Sequence, residues 1–155
     1  MSTTPSPNSP SKPAAPTAAS PPLDSLGLPD GYLFKADLEI TPRDAQAALS
    51  DPSRGAVLID CRTREEYECA QVAQSTLIPL QEIGQRLDDV EDLGARELLV
   101  MCHHGVRSMK ATLLLKQAGF DNVRSVAGGI DLWSRAVDHS VPRYDKSTGK
   151  CVVIK

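Results

Sequence analysis

From Leu38 onward, short apolar runs alternate with segments of helical character, and this alternation limits the folds open to the chain more than any other feature. The strand-like runs are Ala56–Asp60, Thr76-Leu77-Ile78, Leu98–Met101 and Val123–Val126. Ala56–Ile59 and Leu98–Met101 are continuously apolar, as strands buried on both faces are. Between the runs lie helix signals. Thr41-Pro42 with Asp44 opens a first helix, with Thr as the cap and Pro in the first helical position. A short helix is expected over 64–69, and Leu80, Ile83, Leu87 and Val90 recur at helical spacing. The segment after Met101 reads as a loop and then a helix ending near Ala118, with Gly119 as its C-terminal cap. A last helix runs from Gly128-Gly129 through Trp133 to Val137. The pattern predicts an α/β domain on a mostly parallel sheet.

The chain has 155 residues, room for one such domain. Residues 1–30 are read as a disordered Pro/Ser/Ala-rich tail, because that composition buries too little apolar surface to offset the entropy of ordering. Within it, Leu23 to Tyr32 mixes Leu with Gly and Pro and leads into the fold, either packed or trailing. Residues 31–146 form the domain and 147–155 a C-terminal tail. The formal charge of −3 gives no electrostatic reason to expect nucleic acid or an anionic membrane as a partner. No run approaches the roughly 18 apolar residues of a membrane span, and the N-terminus lacks the basic-then-apolar layout of a secretory signal. A cytoplasmic location is therefore expected. Cys61, Cys69, Cys102 and Cys151 show neither zinc-type spacing nor a disulfide framework, so all four are expected as free thiols.

The chemistry concentrates at Cys102-His103-His104-Gly105-Val106-Arg107-Ser108. Cys102 stands at the carboxyl end of a buried strand, where open α/β sheets bind ligands. The loop feeds a helix N-terminus, whose free N–H groups and positive dipole end favour an anion such as a thiolate. Such surroundings bring a cysteine pKa from about 8.5 into the range of roughly 3.5 to 7.5. Gly105 allows the loop to curl, Arg107 adds positive charge, and Ser108 can donate to the sulfur. His103 and His104 are adjacent on a tight loop and cannot readily converge on one ion, so no metal is expected. They shape the pocket mouth and tune charge near neutral pH. Cys61 and Cys69 read as half-buried small hydrophobes, and Trp133 as core. Cys151 is a candidate to resolve a sulfur adduct on Cys102.

The Cys102–Ser108 segment resembles the active-site loop of the rhodanese family. Ile59-Asp60-Cys61-Arg62 followed by Glu65-Glu66-Tyr67 is similar to that family's Asp-x-Arg and Glu-Tyr element, and Ala127-Gly128-Gly129-Ile130-Asp131-Leu132-Trp133 to its C-terminal Gly-Gly helix. The match runs from about Leu38 to Tyr144. Where the family usually has Gly-His-Ile-Pro-Gly-Ala, this chain has Ala70-Gln71-Val72-Ala73-Gln74-Ser75. The resemblance implies a rhodanese-like three-layer α/β fold: a five-stranded, mostly parallel sheet with helices on both faces. It implies a sulfurtransferase that moves sulfane sulfur from a donor such as thiosulfate to a thiol or cyanide through a Cys102 persulfide. No cofactor is called for. Residues 103–108 would bind substrate, with Asp60 and Arg62 holding the loop from behind, although an ordinary ion pair explains those two equally well. The ending Val141-Pro142-Arg143-Tyr144 resembles rhodanese domains fused to enzymes that adenylate ubiquitin-like sulfur carriers. A sulfur-carrier protein or a cysteine desulfurase acting in trans is thus a further expected partner.

Two rival readings remain at this level. Tyrosine phosphatases also place a Cys and an Arg around an anion-binding loop, but with five residues between them, whereas only His103 to Val106 intervene here. The shorter loop favours sulfur over phosphate. A catalytically silent rhodanese-like interaction module is the other, and such modules commonly lose the cysteine that this chain keeps.

Overall fold

The computed structural model describes residues 20–154; most of the expected N-terminal tail, residues 1–19, lies outside them. The main sheet holds β1 (Glu39–Ile40), β2 (Ala56–Asp60), β3 (Thr76–Leu77), β4 (Glu97–Met101) and β5 (Val123–Val126). Their order is β1-β5-β4-β2-β3, and every pairing is parallel. Strand β4, apolar from Leu98 to Met101, occupies the centre, with all five of its residues buried.

Side-chain alternation along the strands sends neighbouring residues to opposite faces. Leu58, Leu99 and Met101 pack with Ala45 and Ala48 of α1 (Pro42–Ser50) and with Ile130 and Trp133 of α6 (Gly129–Ala136). Ile59, Leu98 and Val100 face the other way. They meet Ile83 of α3 (Leu80–Ile83), Val90 of α4 (Leu87–Asp92), and Ala111 and Leu115 of α5 (Val106–Gln117). Helices thus cover both faces, giving the expected three layers.

Thr41 caps α1 by accepting the Asp44 N–H at 3.2 Å. Helix α2 (Arg64–Cys69) opens with a reciprocal capping box between Thr63 and Glu66. The single periodic run from Leu80 to Val90 is two short helices. It breaks at Gly84, whose helix propensity is low, and Arg86 stands at the N-cap position of the second segment without a side-chain cap bond. At the end of α5 the Phe120 N–H bonds back to Leu115 O at 3.0 Å, with Gly119 at φ +101°.

Three features stand out against the expectations, two at the margins and one in the loop before β3. First, Leu23–Pro29, counted with the 1–30 tail but left open between packed and trailing, is packed. Leu28 is buried with Ala127 and Leu132, and Arg43 Nη1 donates to Ser25 O at 2.6 Å. Second, the expected C-terminal tail contains β7 (Val152–Ile154), which pairs antiparallel with β6 (Arg143–Asp145). This hairpin is tied down by a disulfide between Cys151 and Cys69 of α2, 82 residues apart. Cys69 and Cys151 are therefore not free thiols, and Cys151 is committed away from Cys102. Third, Gln74 adopts φ +67°, alone among the described non-glycine residues. It stands where the rhodanese pattern carries glycine, the residue to which a positive φ costs least.

Candidate active site

Strand β4 ends at Met101, and the chain turns sharply to start α5 at Val106, leaving Cys102 at the bottom of a tight loop. Two helix starts hold that loop. At the start of α5, Gly105 sits at φ +103° and its N–H donates to Cys102 Sγ at 3.0 Å. From the side, the first amides of α6 grip the loop's carbonyls: Ile130 N–H bonds Cys102 O at 2.8 Å and Asp131 N–H bonds His103 O at 3.2 Å. A side chain at Gly129 would place its Cβ 2.5 Å from His103 C, so only glycine permits this approach.

The sulfur is surrounded by donors. Ser108 Oγ lies 3.3 Å from Sγ and 2.7 Å from Ser125 Oγ on β5. The Cys61 thiol faces the same sulfur from the end of β2. Together these hold the Cys102 thiol down to about 5: the Cys61 hydrogen bond contributes most, burial opposes it, and the Ser108 hydroxyl and the Ser108 and Gly105 N–H groups add to it. Cys61 is pushed the opposite way, well above the ordinary thiol range, by its bond to Cys102, by burial and by the neighbouring negative charge. Near neutrality the pair is one thiolate and one thiol.

The folded value fixes a pH signature. The second-order rate of sulfur uptake by Cys102 is expected to be flat above about pH 6 and to fall with unit slope below pH 5, as the thiolate is protonated. A stopped-flow profile that instead kept rising toward the ordinary thiol value of about 8.5 would contradict this electrostatic account.

Arg107 is not left free above the sulfur. Its Nη1 and Nη2 make a bidentate pair with Glu66 Oε2 and Oε1, both at 2.7 Å. Glu66 also accepts from Tyr144 Oη at 2.9 Å and lies 3.4 Å from Lys146 Nζ. Burial raises its pKa, but the Arg107 bonds, the Thr63 N–H and the Tyr144 hydroxyl outweigh this and hold the carboxyl well below the usual carboxylate range. Behind it, Arg62 and Asp60 form a completely buried pair at 2.6 Å, and Arg62 Nη1 donates to Tyr144 Oη at 3.0 Å. Asp60 and Arg62 are thus joined to the loop through Tyr144, Glu66 and Arg107.

The His103 ring stacks on Tyr144 with centroids 4.0 Å apart and on His104 at 3.8 Å. Burial, then the charge on His104, lowers His103 to about 4, so it is uncharged near neutral pH rather than a charge-tuning group there. Val106 is 67% exposed at the loop's rim. Beside it, a cleft of about 450 Å³ is lined by Tyr32, Leu33, His104, Gly105 and Met109.

Sequence reasoning brought together Cys102, Gly105, Arg107 and Ser108 but gave no role to Glu66, Tyr144, Cys61 or Ser125. The signals for Glu66 were the Glu-Tyr resemblance, which carried no role for it, and the Thr63-x-x-Glu66 capping spacing. The others come from distant strands. Among the described residues, no helix is long and apolar enough to cross a membrane.

Comparison with known proteins agrees with this geometry. The chain is 28% identical over 128 residues to a maize adenylyltransferase and sulfurtransferase, MOCS3-1, covering 79% of this chain and 27% of that protein. It is 34% identical over 98 residues to the thiosulfate sulfurtransferase GlpE of Actinobacillus pleuropneumoniae, covering 63% of this chain and 87% of that one. Thus the chain spans only about a quarter of the adenylyltransferase relative but most of the single-domain one. Among solved structures, a rhodanese-related protein from Thermoplasma volcanium superposes with a TM-score of 0.56 at 28% identity, over 63% of this chain and 91% of that one. The Rhodanese-like domain family model matches residues 41–136, more than half of the chain and the whole span from the Thr41 cap to the end of α6. By that match over more than half of its length, the chain belongs to the rhodanese-like domain family.

Proposed function

We propose that the protein is a sulfurtransferase that carries sulfane sulfur as a persulfide on Cys102. The observation that carries this reading is the cradle itself: a depressed thiol with the Gly105 N–H at 3.0 Å, the Ser108 hydroxyl at 3.3 Å and the Ser108 N–H aimed at it. In the first half-reaction the Cys102 thiolate attacks the outer sulfur of thiosulfate. The S–S bond breaks and sulfite leaves with its electron pair. In the second, a thiol or cyanide attacks the outer sulfur of the persulfide and the thiolate is restored. The same N–H and O–H donors that stabilise the thiolate serve each anionic sulfur species in turn. No cofactor or metal has a step in this cycle.

His103, His104, Val106 and Arg107 form the rim that a donor must cross. Arg107, fixed by Glu66, presents its remaining N–H groups in a set orientation. The phosphatase reading is not favoured, because only four residues, His103 to Val106, separate Cys102 from Arg107, and the shorter loop suits sulfur better than phosphate. The physiological partners follow from the same reading: a small sulfane donor and, by analogy with the adenylyltransferase relative, a sulfur-carrier protein as acceptor.

Initial-rate kinetics with thiosulfate and cyanide test the cycle. Parallel double-reciprocal lines, with sulfite released before cyanide is added, are the expected result. Intersecting lines with no sulfite release in cyanide's absence would require both substrates to bind together and would overturn it.

A further inference from the structure

The described chain holds two free cysteines, Cys61 and Cys102, and both are buried. The sulfur cycle above uses only one. In the register of β2 on β4, Asp60 opposes Met101, and the Cys61 N–H donates to Met101 O at 2.9 Å. Cys61 and Cys102 are therefore the next opposed positions on two neighbouring parallel strands. Alternation places both on the same face, within one apolar cluster that also holds Ile59 and Val100. Neighbouring strands run about 4.8 Å apart, inside the window of roughly 4.4 to 6.8 Å between Cα atoms that a disulfide spans.

We infer that Cys61 is the resolving thiol of the Cys102 persulfide, closing a Cys61–Cys102 disulfide and expelling the outer sulfur as hydrosulfide when no acceptor arrives. The inference rests on the persulfide reading. Cys61 Sγ attacks Cys102 Sγ, the bond from Cys102 Sγ to the outer sulfur breaks, and that sulfur departs with the electron pair. The Cys61 proton goes to the leaving sulfur. One persulfide and one thiol become one disulfide and one hydrogen sulfide: the two cysteines are oxidised by two electrons and the sulfane sulfur is reduced by two. No outside oxidant enters.

The device is inert until sulfur is loaded. Against the bare Cys102 thiolate Cys61 has no leaving group to displace and acts only as a hydrogen-bond donor, holding its proton firmly. Loading puts a leaving group on the sulfur that Cys61 already faces, and the displacement runs in line when that outer sulfur lies on the side of Cys102 Sγ away from Cys61. An acceptor must then capture the outer sulfur before the disulfide closes. Donor without acceptor would therefore stop turnover, and a dithiol would restart it by thiol–disulfide exchange.

The test loads the full chain, Cys61→Ser and Cys61→Ala with thiosulfate under anaerobic conditions, removes the donor, and follows intact mass, hydrosulfide and non-reduced peptides. Serine keeps a donor toward Cys102, and alanine controls for its hydroxyl. All three chains are expected to gain one sulfur. The native chain then loses it at least about tenfold faster than either variant, releasing one hydrosulfide per chain and yielding a Cys61–Cys102 cross-linked peptide. Equal rates of sulfur loss in the three chains, or loss without the cross-link, would overturn the role of Cys61 while leaving the persulfide standing. Failure of all three chains to gain sulfur, with no hydrosulfide released, would remove the persulfide reading and this inference together.

Discussion

Arg62→Met is expected to lower the free energy of unfolding by about 3–5 kcal/mol. The Arg62 and Asp60 side chains are both 0% exposed. The guanidinium donates to Asp60, to Tyr144 Oη, and to the carbonyls of Glu66 and Ala70, the last at 2.6 Å. Methionine fills much of the same volume but leaves the Asp60 carboxylate charged and unpaired where water cannot reach it. The Ala70 carbonyl loses its donor as well. Pairing the change with Asp60→Leu should recover much of the loss, since an apolar pair of similar size costs no charge burial. Urea unfolding of the three variants decides the matter. A single mutant within about 0.5 kcal/mol of the native chain, the range of ordinary surface changes, would show that the pair contributes nothing.

Glu66→Gln is expected to slow sulfur loading on the order of 10- to 100-fold through loss of Arg107 orientation. Glutamine retains the capping interaction with Thr63, so α2 should persist. What it loses is the charge that holds Arg107 with two bonds and Lys146 with a longer one. The stability cost should be smaller than at Arg62, about 1.5–3 kcal/mol, because Arg107 is 30% exposed and can regain water. The pH dependence carries a sign. The folded Glu66 carboxyl titrates below its unfolded value, so its stabilisation is fully present above the unfolded pKa of about 4.3 and is lost as pH falls toward the folded one. The native chain should therefore lose stability in that acid window, and Glu66→Gln should flatten that part of the curve. An unchanged loading rate with an unchanged acid limb would separate Glu66 from Arg107 in function.

The parts of the site that could be read from sequence are those carried by contiguous residues. Cys102 to Ser108 packs a nucleophile, a loop-forming glycine and a helix start into one short segment, and local rules were enough to place them. Glu66 and Tyr144 meet Arg107 and Arg62 only because the sheet order and the C-terminal hairpin bring them together. Glu66 is 41 residues from Arg107 and Tyr144 is 82 from Arg62. No periodicity encodes such pairs. Cys61 read as an ordinary buried cysteine because its meaning lies in the register of β2 against β4. The Cys69–Cys151 bond escaped for the same reason, since β7 and Cys151 fall within the expected 147–155 tail. In the fold, the helical spacing of Leu80, Ile83, Leu87 and Val90 survived across the Gly84 break, so apolar periodicity alone could not show that two helices share one buried stripe.

Covalent sulfur on Cys102 would be visible as a change in the intact mass of the chain. The native chain and Cys102→Ser are each incubated with thiosulfate, freed of donor, weighed promptly, and then treated with cyanide. The account predicts a gain of one sulfur in the native chain alone, removed by cyanide with one thiocyanate formed per chain. If the native chain gains no sulfur from thiosulfate, 3-mercaptopyruvate or a persulfide donor, or if Cys102→Ser gains it equally, the account is contradicted.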